Sequence, residues 1–525
     1  MAWLSNLENH ATRHTSVQES TQDVETVIRG WILRTDYSKW RSRGELPNVF
    51  PLTGQKAKAA GAAPCCAAAA QAIRKSCPLP TTPPPVPTRE LSGLTSWPEG
   101  ITPTPEFEAG LDFVRHANGH LFVTGRAGTG KSTLLRSLRG LLAEEMVVVA
   151  PTGLAAINVG GQTIHSFFGF PPRLIQSSDI RRSRNGRVMR KMTFLVIDEV
   201  SMVRSDMMWA IDHALRMNRG RPREPFGGVR LLMFGDLHQL PPIVQENEVK
   251  AHLEDAHGGP FFFSIASLRE GSGTHRLELG HVFRQSDEDL VRVLNRIRDG
   301  DVTSNDLTLL NTRVHPIRTL SEGEPYVILT PTNAAAKRIN SAYLESLPGK
   351  LHRFNAGISG DFNESAQPAE AALDLKPGAK IMMLRNDPDR RWVNGTVARI
   401  ARLSDKQIWI EIAGREYDVE QVSWEHRRYA YDQAAEKIVE TVAGIFKQFP
   451  LRLAWALTIH KAQGLTLDKV YVDLGRGTFA HGQTYVALSR CRTLEGLALA
   501  RTLTPADILF DQSALGYREV FPALD

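Results

Sequence analysis

Residues 120–145 read HLFVTGRAGTGKSTLLRSLRGLLAEE: a short apolar run, then Gly125-Arg-Ala-Gly-Thr-Gly130-Lys131-Ser132, leading into the amphipathic stretch STLLRSLRGLLAEE. The pattern is GxxxxGK[ST] set between a strand and a helix, the unit from which parallel α/β sheets are built. Its glycines let backbone N–H groups curl around phosphates, and the helix N-terminus adds positive potential. Gly125, Arg126, Ala127, Gly128, Thr129, Gly130, Lys131, Ser132 and Thr133 are therefore the expected nucleotide-binding loop. Lys131 reaches the terminal phosphates and Ser132 ligates a magnesium ion.

MVVVAP (146–151), TFLVID (193–198) and RLLMFGD (230–236) are further short apolar runs, each closing on Pro, Asp or Gly-Asp. Loops at the C-terminal ends of parallel strands carry function. PYVILTPT (325–332) and KVYVDLG (469–475) imply a second sheet, and VARIARL, QIWIEI and REYDVEQVSW (397–424) alternate with period two, predicting a small antiparallel barrel inserted there. In FLVIDEVSM, Asp198 supplies the second metal carboxylate and Glu199 a base for water, although both residues also suit the first turn of a helix. FGDLHQLPP (234–242) places Asp236 and Gln239 beyond another strand, where a glutamine can bond the γ-phosphate or the attacking water.

The chain has 525 residues, enough for two to four folded units. No run of about 18 apolar residues is present, so a membrane span is excluded on sequence, and residues 1–10 lack a secretory signal, predicting an intracellular, cytoplasmic protein, nucleoid-associated in a bacterium. Four cysteines without a CxxC pair make a disulfide scaffold or zinc site unsuited. Residues 1–100, with GAAPCCAAAAQA and PLPTTPPPVPT, read as a low-complexity extension; VETVIRGWILRT (24–35) is the one helix candidate there. The net charge of +6 names no partner, but residues 181–191 hold six basic groups and no acid. That segment either faces a phosphate backbone or is a solvated loop.

Taken together, GRAGTGKS, PTGLAAINVGGQTIHSFF (151–168), DEVSM, GDLHQLPP, FRQ (283–285), WVNGT (392–396), LTIHKAQGLTLD (457–468) and YVALSRCR (485–492) resemble the PIF/RecD-like branch of superfamily-one helicases, in the family's order over about residues 105–510. The resemblance implies two RecA-like domains with ATP and magnesium in the cleft and single-stranded or forked DNA across the top. The expected division is 101–270 for the first domain, with a small wedge-like insert at about 166–191. The second domain is then 271–396 with 451–525, interrupted by an SH3-like β-barrel at 397–450.

By residue, the resemblance makes Arg284 and Arg490 the arginines presented to the γ-phosphate, beside the catalytic Lys131, Glu199 and Gln239. It adds Gly464 to the nucleotide contacts. Pro151, Thr152, Gly153, His165, Ser166, Asn333, Asn394, Thr458, His460 and Lys461 become the DNA contacts. Phe107 stands where relatives carry an adenine-reading glutamine and is expected among the ATP contacts, its ring stacking on or packing beside the base without reading its edge, so base selectivity is expected to be loose. The implied activity is ATP-dependent 5′ to 3′ unwinding by a monomeric engine in replication, repair, recombination or telomere maintenance. The alternative is a translocase that strips proteins from DNA without unwinding.

Overall fold

A computed structural model describes Trp97 and residues 103–524, apart from 127, 143–144, 243, 245–246, 271–272, 282–286, 317–325 and 363. The chain divides into Met1–Pro83 and Pro84–Asp525, and the described residues all belong to the second part. The helix expected at 24–35 and the linker reading of 1–100 lie outside them, Trp97 aside.

Six parallel strands form the first sheet: β1 (Leu121–Gly125), β2 (Met146–Ala150), β3 (Gln162–Thr163), β4 (Phe194–Ile197), β5 (Arg230–Phe234) and β6 (His275–Leu279), in the order β3-β2-β4-β5-β1-β6. Strands covered on both faces read as unbroken apolar runs, and β1, β2 and β4 are buried at every position. Phe122, Val147, Leu195 and Leu231 fill the core on one face, and Leu121, Val148, Val196 and Leu232 fill it on the other. Helix α1 (Pro105–His116) starts with proline at its first position and Thr104 as cap, and α2 (Lys131–Leu142) follows β1. Helix α3 (Gly186–Lys191) precedes β4.

After α4 (Glu288–Asp299), β7 (Val327–Thr330) opens a second sheet and α5 (Asn333–Ser346) follows it. The chain then leaves this sheet for an antiparallel module: β8 (His352–Asn355), β9 (Gly357–Gly360), β10 (Ala372–Leu375), β11 (Lys380–Met383), β12 (Val397–Leu403), β13 (Ile408–Ile412), β14 (Arg415–Val419), β15 (Val422–Asp432), β16 (Lys437–Gln448) and β17 (Leu451–Leu453). A five-stranded sheet runs β14-β13-β12-β11-β17, while the long hairpin β15–β16 is joined by β9. The module thus extends beyond 397–450. Its early strands escape the sequence pattern because they are short, and Gly357–Gly360 is exposed at all four positions. The second sheet resumes with β18 (Ala456–Thr458), β19 (Val470–Val472) and β20 (Leu497–Leu499), parallel in the order β18-β7-β19-β20, with α6 (Gln483–Leu488) between the last two strands.

Two boundaries differ from expectation. β6, expected in the second domain, pairs with β1 along its whole length. The segment after α6 also returns to the first domain: in and after α7 (Tyr517–Val520), Tyr517 and Phe521 set their rings 5.4 and 5.9 Å from Phe122, and Ala523 bridges to Arg276. Apolar periodicity reports that a face is buried, not which sheet buries it.

The hairpin β15–β16 also reaches the first domain. Tyr429 and Ile438 enter that domain's core. The Tyr429 hydroxyl accepts from Val148 N at 3.1 Å, and Gln162 Nε2 donates to Arg427 O at 2.8 Å. No described helix is long and apolar enough to cross a membrane.

Candidate functional site

Neighbouring strands β4, β5 and β1 bring their C-terminal loops together, and these loops hold Asp198 and Glu199, Asp236 and Gln239, and the glycine loop. In that loop Gly125, Gly128 and Gly130 have φ of 153°, 86° and 88°, a backbone path that side chains disfavour. A Cβ on Gly125 would stand 2.7 Å from Leu279 O and 2.8 Å from Thr129 Oγ1. Lys131 Nζ donates to Gly125 O at 2.7 Å and Arg126 O at 3.0 Å, which folds the ammonium over the loop. Ser132 is exposed at the start of α2, and α2 has no acid in its first turn. The cradle therefore fits a polyphosphate. Ala127 lies outside the described residues.

Asp198 and Glu199 are half-buried, and burial raises the pKa of both against the opposing charge of Lys131. Glu199 has left-handed backbone (φ 50°), a strained state for this residue that aims its carboxylate across the cleft. There Gln463 Nε2 donates to Glu199 Oε2 at 3.2 Å and to Gln239 Oε1 at 3.1 Å. Gln239 Nε2 in turn donates to Asp236 Oδ2 at 3.0 Å. Asp236 is buried, which would raise its pKa, but Arg298, Lys131 and His238 outweigh burial and hold it below the usual carboxylate range.

Arg490, on the turn after α6, is 1% exposed. It donates to Val486 O (2.9 Å), Ser489 Oγ (2.8 Å) and Leu465 O (3.3 Å), and its charge favours ionised Glu199. Arg284, the other expected arginine, lies outside the described residues. Gly464 has φ 82° and open space where a side chain would stand.

Phe107 departs from the expectation. Its ring is 2% exposed in the core beside α2, 5.8 Å from the ring of Trp97, and so offers no face to a base. A phenyl ring at this position is apolar packing for α1.

The expected DNA contacts fall into two groups. Ser166, Asn333, Asn394 and Lys461 are exposed, and Pro151, Thr152, His165 and His460 are half-buried at loop and helix starts. Burial lowers the pKa of both histidines, with Arg204 adding to this at His165, which favours neutral rings. Thr458 and Gly153 also take part in packing. Thr458 is 2% exposed and its hydroxyl accepts from Lys461 N, so it shapes the turn that presents His460 and Lys461. A Cβ on Gly153 would come within 2.5 Å of Ala366 Cα, so this glycine admits the β module against the first domain. Arg181, Arg182, Arg184, Arg187, Arg190 and Lys191 are all exposed.

Gln463 and Arg298 are absent from the sequence-derived site. Gln463 lies inside the LTIHKAQGLTLD stretch and was legible there; Arg298 sits in an ordinary amphipathic helix without a signature.

The family described as PIF1-like helicase matches residues 107–307. The ATP-dependent DNA helicase Pif1 of Bdellovibrio bacteriovorus is 34% identical over 433 residues, covering 80% of this chain and 92% of that protein. Of the eukaryotic relatives the chain spans less, 58% for that of Emericella nidulans. The crystal structure of Bacteroides sp Pif1 in complex with ADP-AlF4 is 36% identical with a TM-score of 0.73, over 80% of this chain and 97% of that one. The same helicase bound to ssDNA, with equal coverage, gives 37% and 0.58.

Proposed function

Since the chain belongs to the PIF1-like helicase family, we propose that it is an ATP-dependent DNA helicase that moves 5′ to 3′ along a single strand and opens the duplex ahead. The observation that carries this reading is the line from Glu199 through Gln463 to Gln239. It joins the carboxylate next to the phosphate cradle to the turn of the second sheet whose outer side bears His460 and Lys461.

The assigned chemistry is hydrolysis of the γ-phosphate. Water adds to phosphorus, the bond to the bridging oxygen breaks, ADP leaves with that electron pair, and Glu199 takes the water proton. Gln239 orients the water, while Lys131 and Arg490, with Arg284, offset the charge that grows on the phosphate oxygens. Magnesium would be held by Ser132 and, through water, Asp198; when bound it neutralises phosphate charge. Pro151, Thr152, His165 and Ser166 on one side, with Asn333, Asn394, His460 and Lys461 on the other, grip the strand's backbone without reading its sequence. The basic segment 181–191 faces the fork.

The test is unwinding of forked DNA bearing a 5′ or a 3′ tail, with ATP, by the protein and by Lys131→Ala. Unwinding from the 5′ tail alone, abolished by the substitution, is expected. Opening only from a 3′ tail overturns the polarity, and ATP turnover on single strands without unwinding favours the protein-stripping translocase.

A further inference from the structure

The loop 236–240 leaves the first sheet and is enclosed by the second domain. Leu240 lies in that domain's core. His481 Nε2 meets Leu237 O at 3.1 Å, and a Cβ on Gly482 would stand 2.4 Å from the carbonyls of His238 and Gln239, so only glycine admits this approach. From α4, Arg298 closes the remaining side. It is 4% exposed, its carbonyl accepts from His238 Nδ1 at 2.7 Å, and its Nη2 lies 3.4 Å from Glu278 Oε1. Its Nε is 3.9 Å from Asp236 Oδ1 and has no hydrogen-bond partner among the described residues.

A buried guanidinium with an unpaired N–H is costly unless another state of the molecule completes the bond. Here the missing step is about 1 Å, set against an ordinary N–H···O separation of about 2.9 Å. Asp236 Oδ2 meanwhile accepts from Gln239 Nε2, and this fixes which end of the Gln239 amide faces Gln463. A protonated Asp236 would be free to donate to the amide oxygen and turn the amide round.

We propose that Arg298 is a positioning residue: from the second domain it keeps Asp236 ionised, and so fixes the Gln239 amide with its oxygen toward the cleft. Closure of the domains brings Nε onto Asp236 and locks that orientation. The proposal rests on the ATPase reading above. The charged and titratable groups around Asp236 are Arg298 on α4, Lys131 on the glycine loop, His238 on its own loop, His481 before α6 and Glu199 after β4. Of the cations, Arg298 and Lys131 alone are permanently charged near pH 7, His238 being held down to about 4 by burial and by Arg298.

The experiment measures DNA-stimulated ATP turnover against pH for the full chain and for Arg298→Met, Arg298→Lys, Asp236→Asn and the Asp236→Asn/Arg298→Met double variant, with fluorescent-ADP binding alongside. Arg298→Met, which leaves the buried Asp236 carboxylate facing Lys131 without its second permanent cation, should lower kcat by a factor that grows as pH falls, with ADP affinity within about twofold. Arg298→Lys should keep the acid limb of kcat in place and recover most of the rate. The double variant, which buries neither charge, should be no slower than Asp236→Asn alone. Wild-type kcat and pH profile in Arg298→Met, or a pH-independent loss, refutes the proposal. Should Arg298→Met fail to fold, a shifted limb in Arg298→Lys, or a double variant at least tenfold slower than Asp236→Asn, refutes it equally. If the unaltered protein turns over no ATP on single-stranded DNA, the functional reading itself fails, which is a separate outcome.

Discussion

Glu199 combines a raised pKa, a strained backbone and a partner from the second sheet, and each has a consequence for substitution. Glu199→Gln keeps the shape but cannot accept a proton, so ATP turnover should fall by about 10²–10⁴-fold. It also removes a carboxylate that burial disfavours, so the melting temperature should stay level or rise. A fall in both would mark Glu199 as structural. At Phe107 the buried ring contributes nothing to base choice, and GTP should replace ATP with little change in kcat/KM. Strong ATP preference, measured by steady-state turnover, would place a base-reading group elsewhere. The glycine loop, Asp198, Glu199 and Gln239 were legible because phosphate chemistry demands those residue types at strand ends. Arg298 was not, since its role exists only once the end of α4 meets the loop after β5 and Glu278 on β6.

Among elements, the basic segment around α3 joins exposed charge to a fixed frame. Asn185 Nδ2 donates to Phe167 O at 2.8 Å, Ser183 N donates to Asn218 Oδ1 at 3.0 Å, and Val188 and Met189 are buried. Changing Arg181, Arg182, Arg184 and Arg187 together to Ala should leave the melting temperature unchanged, because all four are exposed. It should weaken binding to forked DNA and reduce the slope of log affinity against log salt by up to about one for each phosphate left without its arginine. An unchanged slope would return the segment to the solvated-loop reading.

Asp507 tests a different element. Arg501 pairs with it, and Thr504 caps onto it through backbone N–H and hydroxyl, so its pKa is depressed to about 2. Stabilisation of this sign is full above the unfolded-state pKa near 4 and is lost as pH falls toward 2. Asp507→Asn should therefore cost about 1–2 kcal/mol at pH 7, discounted for the partly exposed arginine, and progressively less below pH 4 in urea titrations.

At the scale of the molecule, both parallel sheets were readable as apolar runs, and the late strands of the β module as alternation. The order of strands and the ownership of β6 and of residues 512–524 were not, because pairing partners are set by long-range packing. HRLEL at 275–279 alternates as an edge strand would, yet nothing in those letters points to β1. The same holds for Tyr517 and Phe521, whose side chains are fully buried in the first domain. Phe521→Ala should destabilise that domain by about 3–5 kcal/mol, read as loss of its thermal transition, with the second sheet less affected.

The return of residues 517–524 also bears on how the molecule is made. Elongation delivers about 5–20 residues each second, and domains that are contiguous in sequence can fold as they emerge. This first domain cannot finish in that way: the ring pocket around Phe122 and the far edge of β6 wait for residues that follow the entire second domain. For much of synthesis the nascent chain therefore carries an apolar cleft open to solvent, and a chaperone that shields it would be needed earlier, and for longer, than the chain's modular appearance implies.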